Sequence, residues 1–233
     1  MNIRPDSGFG PLQQDPGSGL HYRLREQGRP GPVSARLLLL HGVGGNETNL
    51  AMLAAAIDPR VQVVLVRAPL ALGPEQFAWF QVRFGASGPV IDPVQAERSR
   101  QQLLTLVRGL QTQDGGMPAR TVVAGFSQGG ILSASVGLSA PLDVAGFAVL
   151  SGRILPELEP HLAPRTELAG SNGFIAHGRF DDKLPVAWAE RADQWLDALG
   201  VPHRTQLYPI GHELNLTVVD DFKHWLAEPL SLI

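Results

Sequence analysis

The chain of 233 residues contains no cysteine, and this absence excludes several kinds of chemistry. Without thiols it can form no disulfide framework, no thiolate metal site and no cysteine nucleophile. Charge is also scarce, since charged residues make up 18% of the chain and the formal net charge is -3. This balance gives no electrostatic reason to expect a nucleic acid or an anionic membrane as a partner.

Long apolar runs are missing as well. No stretch approaches the roughly 18 to 20 apolar residues of a membrane-spanning helix, and the N-terminal segment MNIRPDSGFGPLQQDPGSG has no signal-peptide core. We therefore expect a soluble, cytoplasmic protein in which residues 1–19 form a loosely ordered lead-in. No histidine and carboxylate set has the H-E-x-x-H spacing typical of zinc sites, so we expect neither a metal nor a cofactor.

The hydrophobic content of 44% is high enough for a sizeable core. Short apolar runs that end in Gly or Pro predict strands buried on both faces, at residues 35–42, 61–69, 121–126, 144–152 and 173–178. Segments with apolar residues three or four positions apart separate these runs and predict helices. The alternation predicts a single α/β domain over residues 20–233, with a mainly parallel sheet covered by helices on both faces.

One serine stands at the joint between a predicted strand and a predicted helix, in TVVAGFSQGGILSASVGL at residues 121–138. Ser127 is surrounded there by Gly125, Gly129 and Gly130. G-x-S-x-G between a strand and a helix is the pattern of a nucleophile elbow, in which the serine hydroxyl is exposed above a sheet. The sequence therefore predicts Ser127 as a nucleophile, with a plain helix N-cap as the alternative.

A serine nucleophile needs a base to take its proton and a carboxylate to orient that base. Residues that follow the strands of a doubly wound sheet lie at its ligand crevice, and α/β hydrolases place the acid and then the histidine after the serine. FIAHGRFDDKLP puts Asp181 and Asp182 after one strand, and TQLYPIGHELN puts His212 after another. We therefore predict His212 as the base. Two other strand-end histidines precede glycine but fall in the wrong chain order: His41 and His177.

An oxyanion also needs backbone N–H donors, and the residue after the nucleophile, Gln128, supplies one in elbow geometry. The second comes from an earlier strand-to-helix loop, which LLLLHGVGGNETNL resembles, with Val43 or Gly44 as the donor. A phosphate cradle is the competing interpretation. It fails because G-K-[ST] is missing and Glu47 stands where the third glycine of G-x-G-x-x-G would be.

The segment EQFAWFQVRFGASGP forms a long connection between a predicted strand and the next helix. Long loops in compact domains are often functional. We expect Trp79 or Phe80 to line a substrate pocket, because aromatic walls are typical of such sites, with closure of the core as the alternative role.

Six motifs in order, LLHGVGGNETNL, RAP, AWF, GFSQGG, HGRFDDKLP and GH, resemble the phospholipase/carboxylesterase family of α/β hydrolases. That family includes acyl-protein thioesterases and small bacterial carboxylesterases. The resemblance covers roughly residues 35–227. It implies the α/β-hydrolase fold, a triad and two oxyanion donors, with these residues: Ser127, Asp181 and His212, and Val43 and Gln128.

The resemblance also assigns the acid to the first aspartate of the pair, and we expect Asp182 to cap the helix that Pro185 helps to start. Gly45 and Asn46 replace the aspartate that family thioesterases carry after H-G-x-G, which resembles the bacterial carboxylesterases. We therefore expect a metal-independent serine carboxylesterase that cleaves small to medium-chain esters. A thioesterase or lysophospholipase with the same triad is the alternative, and a non-catalytic ligand-binding homologue is another. A homodimer is compatible with the sequence, which does not fix the oligomeric state.

Overall fold

The computed structural model describes residues 8–26, 33–85, 88–113 and 120–232. Its strands in chain order are β1 (Gln13–Gln14), β2 (His21–Leu24), β3 (Ala35–Leu40), β4 (Gln62–Arg67), β5 (Leu70–Gly73), β6 (Gln76–Ala78), β7 (Val82–Gly85), β8 (Gly88–Ile91), β9 (Arg120–Phe126), β10 (Gly146–Leu150), β11 (Gly173–Gly178) and β12 (His203–Tyr208). Its α-helices are α1 (Ala51–Ala56), α2 (Pro93–Gln113), α3 (Gln128–Ser139), α4 (Arg165–Leu168), α5 (Ala187–Leu199) and α6 (Leu216–Ala227). Short 3₁₀ helices lie at Glu47–Leu50 and Pro156–His161.

An eight-stranded sheet forms the centre of the molecule, in the order β1-β2-β4-β3-β9-β10-β11-β12. The strands from β4 to β12 in that order run parallel, and β2 pairs with β4 in the antiparallel direction. The five strands predicted from apolar runs are all present. This confirms the mainly parallel sheet, because a continuous apolar run is what burial on both faces requires.

Helices cover both faces of this sheet, as alternate residues of β3 demonstrate. Leu38 and Leu40 pack into one core layer with α2 and α3, whereas Leu37 and Leu39 pack into the opposite layer with α1 and α6. The side chains of a strand alternate between faces, so an all-apolar strand serves two cores. Among the described residues, none of the helices is long and apolar enough to cross a membrane.

The N-terminal segment differs from the loosely ordered lead-in that the sequence suggested. Residues 1–7 lie outside the described residues, but β1 pairs with β2 at the sheet edge, and Gly10 N–H donates to the Leu24 carbonyl at 2.8 Å. The Asp15 carboxylate is buried and accepts hydrogen bonds from Ser18 N–H and Oγ, both at 2.6 Å. Residues 15–19 therefore form a hydrogen-bonded turn beside the sheet, closed by Gly19 N–H, which donates to the Asp15 carbonyl at 2.8 Å.

The connection between β4 and α2 is also more regular than predicted. It contains two antiparallel pairs, β5 with β6 and β7 with β8. Phe77 on β6 pairs with the loop after β3, where it accepts from Gly44 N–H and donates to the Gly45 carbonyl, each at 2.8 Å. These bonds join two segments that both end above the carboxyl edge of the parallel strands.

The helix α3 meets the sheet backbone to backbone. A Cβ atom at Gly129 would overlap the carbonyl oxygen of Leu40 on β3, and one at Gly125 on β9 would overlap the Gly129 carbonyl group. A Cβ at Gly130 would lie 2.8 Å from the Gly125 oxygen. Only glycine permits such close approach, which explains the three glycines around Ser127.

We expect Gly129→Ala to destabilise the protein because its new methyl group would force β3 and α3 apart. Overpacking of this kind costs about 1 to 3 kcal/mol or more, which lowers the Tm by roughly 3 to 10 °C in a chain of this size. Thermal unfolding followed by circular dichroism measures the shift. Gly109→Ala in α2 is the matched control, since its nearest neighbour is an Asp15 carboxylate oxygen at 3.4 Å. An equal Tm for both variants would contradict the packing argument.

Candidate active site

Ser127 occupies the sharp turn between β9 and α3. Its backbone is left-handed, with φ 54° and ψ -116°, a conformation that costs a non-glycine residue about 1 to 3 kcal/mol. Its side chain makes no capping hydrogen bond to α3 among the described residues, so the structure does not favour the plain N-cap role. The strained turn instead directs the hydroxyl group into a cavity above the sheet.

His212 and Asp181 lie on adjacent loops after β12 and β11. Phe180 N–H donates to the Ile210 carbonyl at 3.0 Å, which holds the two loops together. The Nδ1 atom of His212 lies 2.7 Å from Oδ2 of Asp181. The structure thus brings together the histidine and the first aspartate of the predicted site.

The Asp181 carboxylate is buried, and both of its oxygens accept hydrogen bonds. Its second oxygen, Oδ1, accepts from Lys183 N–H at 2.9 Å and from Leu184 N–H at 2.8 Å. Burial raises the pKa of this carboxyl group, but hydrogen bonds from Leu184, His212 and Lys183 lower it by more. The net pKa lies below the ordinary value, so the group is ionised at neutral pH and accepts the Nδ1 proton of His212.

Asp182 points away from this arrangement. Its side chain is exposed and bonds to Lys183 Nζ at 3.2 Å. The prediction that Asp182 caps the next helix is wrong: α5 begins at Ala187 after Val186, and no side chain of the described part of the chain caps it. The reason is that Asp181 itself accepts the N–H groups of the turn, which ends before the helix starts.

His177 contacts both Asp181 and the turn that follows it, a role that sequence reasoning missed. It is buried at the end of β11, and its Nε2–H donates to the Leu184 carbonyl at 2.7 Å. The same nitrogen lies 3.3 Å from Asp181 Oδ2. The only sequence signal was its position, four residues before the aspartate at a strand end.

The loop after β3 passes beside the nucleophile. A Cβ atom on Gly42 would lie 3.3 Å from the Cβ of Ser127. Of the two candidate oxyanion donors in this loop, Gly44 N–H is already committed to the Phe77 carbonyl at 2.8 Å. This leaves the N–H of Val43, which lines the same cavity as Ser127 and Gln128.

His41 fixes the direction of that N–H group. Its Nε2 accepts from Ala68 N–H at 3.0 Å, so its proton is on Nδ1, which donates to the Gly42 carbonyl at 2.7 Å. The Gly42 carbonyl and the Val43 N–H belong to one planar trans peptide and point in opposite directions. Burial lowers the pKa of His41 from its ordinary 6.5 to about 4, so the ring is neutral.

Glu47 holds the far end of this loop. Its buried carboxylate accepts from Arg23 Nε at 2.9 Å on β2 and from Arg67 Nε at 2.6 Å on β4. Burial raises the pKa of Glu47, but hydrogen bonds from the two arginines lower it below the ordinary value. In the sequence, Glu47 served only to exclude a phosphate cradle. In the structure it lies beneath the loop as an ionised group.

The side chain of Gln128 binds the segment after β6. Its Oε1 accepts from Trp79 N–H at 2.8 Å, and its Nε2 donates to the Phe80 carbonyl at 2.7 Å. Trp79 is completely buried, and its Nε1 donates to the His41 carbonyl at 2.9 Å. Trp79 therefore joins two loops inside the core, and among the described aromatic side chains it is Phe80 and Phe126 that line the cavity.

Two cavities meet at the predicted base, and the predicted nucleophile lines one of them. The first, about 280 Å³, contains Ser127 and His212 in its wall and has a mostly apolar lining that includes Phe80, Val82, Ile91 and Ile131. The second, about 470 Å³, has polar neighbours that include Asn49 and Glu213. Both cavities share four residues: Gly42, Val43, Phe126 and His212. Among the described residues, Ser127 Oγ is not hydrogen-bonded to His212, which is common in enzymes without bound substrate.

A strained serine between strand and helix, above a mainly parallel sheet, defines the α/β-hydrolase class. Residues 27–229 match the profile of the phospholipase/carboxylesterase family, and the chain belongs to this family. The prediction made from six short motifs is thereby confirmed.

Several curated relatives resemble the chain. Lysophospholipase-like protein 1 of Mus musculus is 28% identical over 169 residues, which are 65% of this chain and 64% of that protein. Acyl-protein thioesterase 1 of Neurospora crassa is 33% identical over 124 residues, 52% of this chain and 51% of that protein. The chain thus matches less than two thirds of the length of these two relatives. Acyl-protein thioesterase 1 of Eremothecium gossypii is 26% identical over 212 residues, 85% of this chain and 89% of that protein.

Solved structures share the fold over nearly the whole chain. The carboxylesterase from Mesorhizobium loti superposes with a TM-score of 0.78 at 24% identity, covering 95% of this chain and 99% of that one. Esterase PE8 superposes with a TM-score of 0.74 at 26% identity, covering 95% and 98%.

We expect the neutral, buried His41 to make stability fall in mild acid. In the unfolded chain the His41 side chain takes up a proton near pH 6.5, whereas in the folded protein it is protonated only near pH 4. The unfolded state therefore binds more protons in this window, and the free energy of unfolding drops by up to about 3 kcal/mol as pH falls through it. In His41→Asn, which keeps a donor near the Nδ1 position, denaturant unfolding from pH 7 to pH 4 should show a shallower decline. An unchanged slope would contradict this assignment.

Proposed function

We propose that the protein is a serine hydrolase that cleaves small to medium-chain carboxylic esters through an acyl-enzyme on Ser127. The observation that carries this proposal is the strained elbow of Ser127, in one cavity with His212, whose ring is hydrogen-bonded to the buried Asp181. The names of the carboxylesterase and esterase neighbours support the same class of reaction.

The proposed first step forms the acyl-enzyme. With its Nδ1 proton held by Asp181, His212 has Nε2 available to take the proton of Ser127 as the hydroxyl oxygen attacks the ester carbonyl. The tetrahedral oxyanion accepts hydrogen bonds from the N–H groups of Val43 and Gln128. When the intermediate collapses, the C–O bond to the alcohol breaks and His212 returns the proton to the leaving oxygen.

Water completes the cycle. His212 takes a proton from a water molecule that attacks the acyl carbonyl, and the same two N–H groups donate hydrogen bonds to the second oxyanion. Collapse breaks the bond to Ser127 Oγ, which regains its proton, and the carboxylic acid leaves. Every proton in this cycle passes through His212, and no metal or cofactor is required.

A thioesterase or lysophospholipase is the second candidate. Relatives that carry the names acyl-protein thioesterase 1 and lysophospholipase-like protein 1 support it. The first cavity, at about 280 Å³, is at the small end for ligand sites and favours a short acyl group instead. A chain-length series of p-nitrophenyl esters, measured beside the matching thioesters, distinguishes the two candidates. Cytoplasmic location and a homodimer stay predictions from the sequence.

We expect Ser127→Ala to fold normally and to lose almost all hydrolysis of p-nitrophenyl butyrate. Binding and the oxyanion donors alone leave a residual catalysis of about 10³ to 10⁴ over water. Removal of the strained serine hydroxyl leaves the packing of α3 intact, so an unchanged Tm is the control. Retention of most activity in the folded variant would refute the proposal.

The neighbouring aspartates provide a matched pair for testing the acid. Asp181→Asn should lower kcat at pH 7 by up to about 10⁴, because an amide that donates to His212 Nδ1 holds the ring in the wrong tautomer. Asp182→Asn changes an exposed side chain outside the cavity and should leave kcat within a few-fold of the wild type. Both variants should keep the wild-type Tm within a few degrees. If Asp181→Asn were as active as Asp182→Asn, the acid would lie elsewhere.

A further inference from the structure

Arg153 is a buried cation in the wall of the cavity that contains Ser127. Only 7% of the residue is exposed. Its Nε atom is buried and has no hydrogen-bond partner, and no carboxylate forms an ion pair with its side chain among the described residues. The guanidinium carbon lies 4.6 Å from the centre of the Trp188 ring, which supports the group from one side.

The turn that carries Arg153 is built against the nucleophile. Ser151, directly after β10, is buried and left-handed, with φ 50°. A Cβ atom on Gly152 would lie 3.0 Å from the Ser127 carbonyl oxygen, so the backbone of the turn contacts the elbow itself. Two left-handed non-glycine residues, Ser127 and Ser151, thus lie beside this contact, and strain of this kind clusters at functional sites.

No carboxylate lines the first cavity among the described residues, so Arg153 has no ion-pair partner in the cavity wall. Lys183 also contributes to the wall, but its Nζ bonds to the exposed Asp182, and Glu157, the carboxylate that attracts Arg153 electrostatically, lies outside the wall. An arginine keeps its charge in proteins, and burying a charge without a partner is unfavourable. The second cavity differs, since Glu213 is part of its wall.

We propose that Arg153 binds a carboxylate on the acyl portion of the substrate, which makes it a residue that determines specificity. This inference rests on the proposed function. The acyl group is bonded to Ser127 Oγ in the intermediate and therefore occupies the cavity that Ser127 lines, whereas the leaving group faces the cavity with Glu213. The planar guanidinium group suits a carboxylate because it can donate two parallel hydrogen bonds. The expected substrates are half-esters of short dicarboxylic acids.

The test compares esters that differ only in charge. Monomethyl glutarate carries a carboxylate on its acyl chain, and its terminal amide is a neutral analogue of similar shape. Methanol release gives kcat/KM for both. A charged hydrogen bond of ordinary strength predicts a preference of about tenfold or more for the carboxylate in the wild type. Butyryl glycolate, with its carboxylate on the leaving group, should show no such preference over its amide.

Arg153→Met removes the charge and keeps most of the volume, and the ratio of carboxylate to amide should fall to about one. Arg191→Met is the matched control, because Arg191 lies 5.0 Å from the same Trp188 ring but is exposed and outside the described cavity wall. Its ratio should equal that of the wild type. The Tm of Arg153→Met should match or exceed that of the wild type, since an unpaired buried charge is lost.

Three outcomes would overturn the inference: no preference in the wild type, equal losses on both esters in Arg153→Met, or a preference for the glycolate ester. In each of these, Ser127-dependent hydrolysis of the amide ester would leave the proposed function intact. Absence of Ser127-dependent hydrolysis of any ester would refute the proposed function instead.

Discussion

The site depends first on the contact between the backbones of β3, β9 and α3. No side chain larger than hydrogen fits at Gly125 or Gly129, so the helix must begin directly on the sheet. The turn into that helix leaves Ser127 with a left-handed backbone and its hydroxyl group above the strand ends. The first N–H groups of α3 have no partners within the helix, and Gln128, the first residue of α3, lines the same cavity as Ser127. One packing constraint therefore positions both the proposed nucleophile and a proposed oxyanion donor.

Hydrogen bonds from side chains to the backbone hold the remaining loops around the turn between β9 and α3. His41 donates to the Gly42 carbonyl, and Asp181 accepts from the turn that follows it. The Gln128 side chain accepts from Trp79 N–H and donates to the Phe80 carbonyl. Such groups are stable when buried only if they are paired, so each bond restricts a loop to one conformation. Arg153 is the contrast, because its buried Nε has no partner among the described residues.

The sequence predicted the features that local patterns encode. Apolar runs such as ARLLLL gave the parallel strands, and the glycines around Ser127 gave the elbow, because burial and close approach restrict residue type directly. It did not predict β1, β7 or β8, since strands of two to four residues are too short to show a periodic pattern. It also misassigned Asp182 and missed His177, because which way a side chain points after a strand is decided by the tertiary turn.

Covalent trapping tests most directly whether Ser127 is an activated nucleophile held beside His212. The protein is treated with a fluorophosphonate and digested, and the modified peptide is identified by mass spectrometry. We expect one modification per chain, on Ser127, at a rate that falls sharply in Asp181→Asn. An unmodified Ser127 in the folded protein, or modification at a different serine, would contradict it.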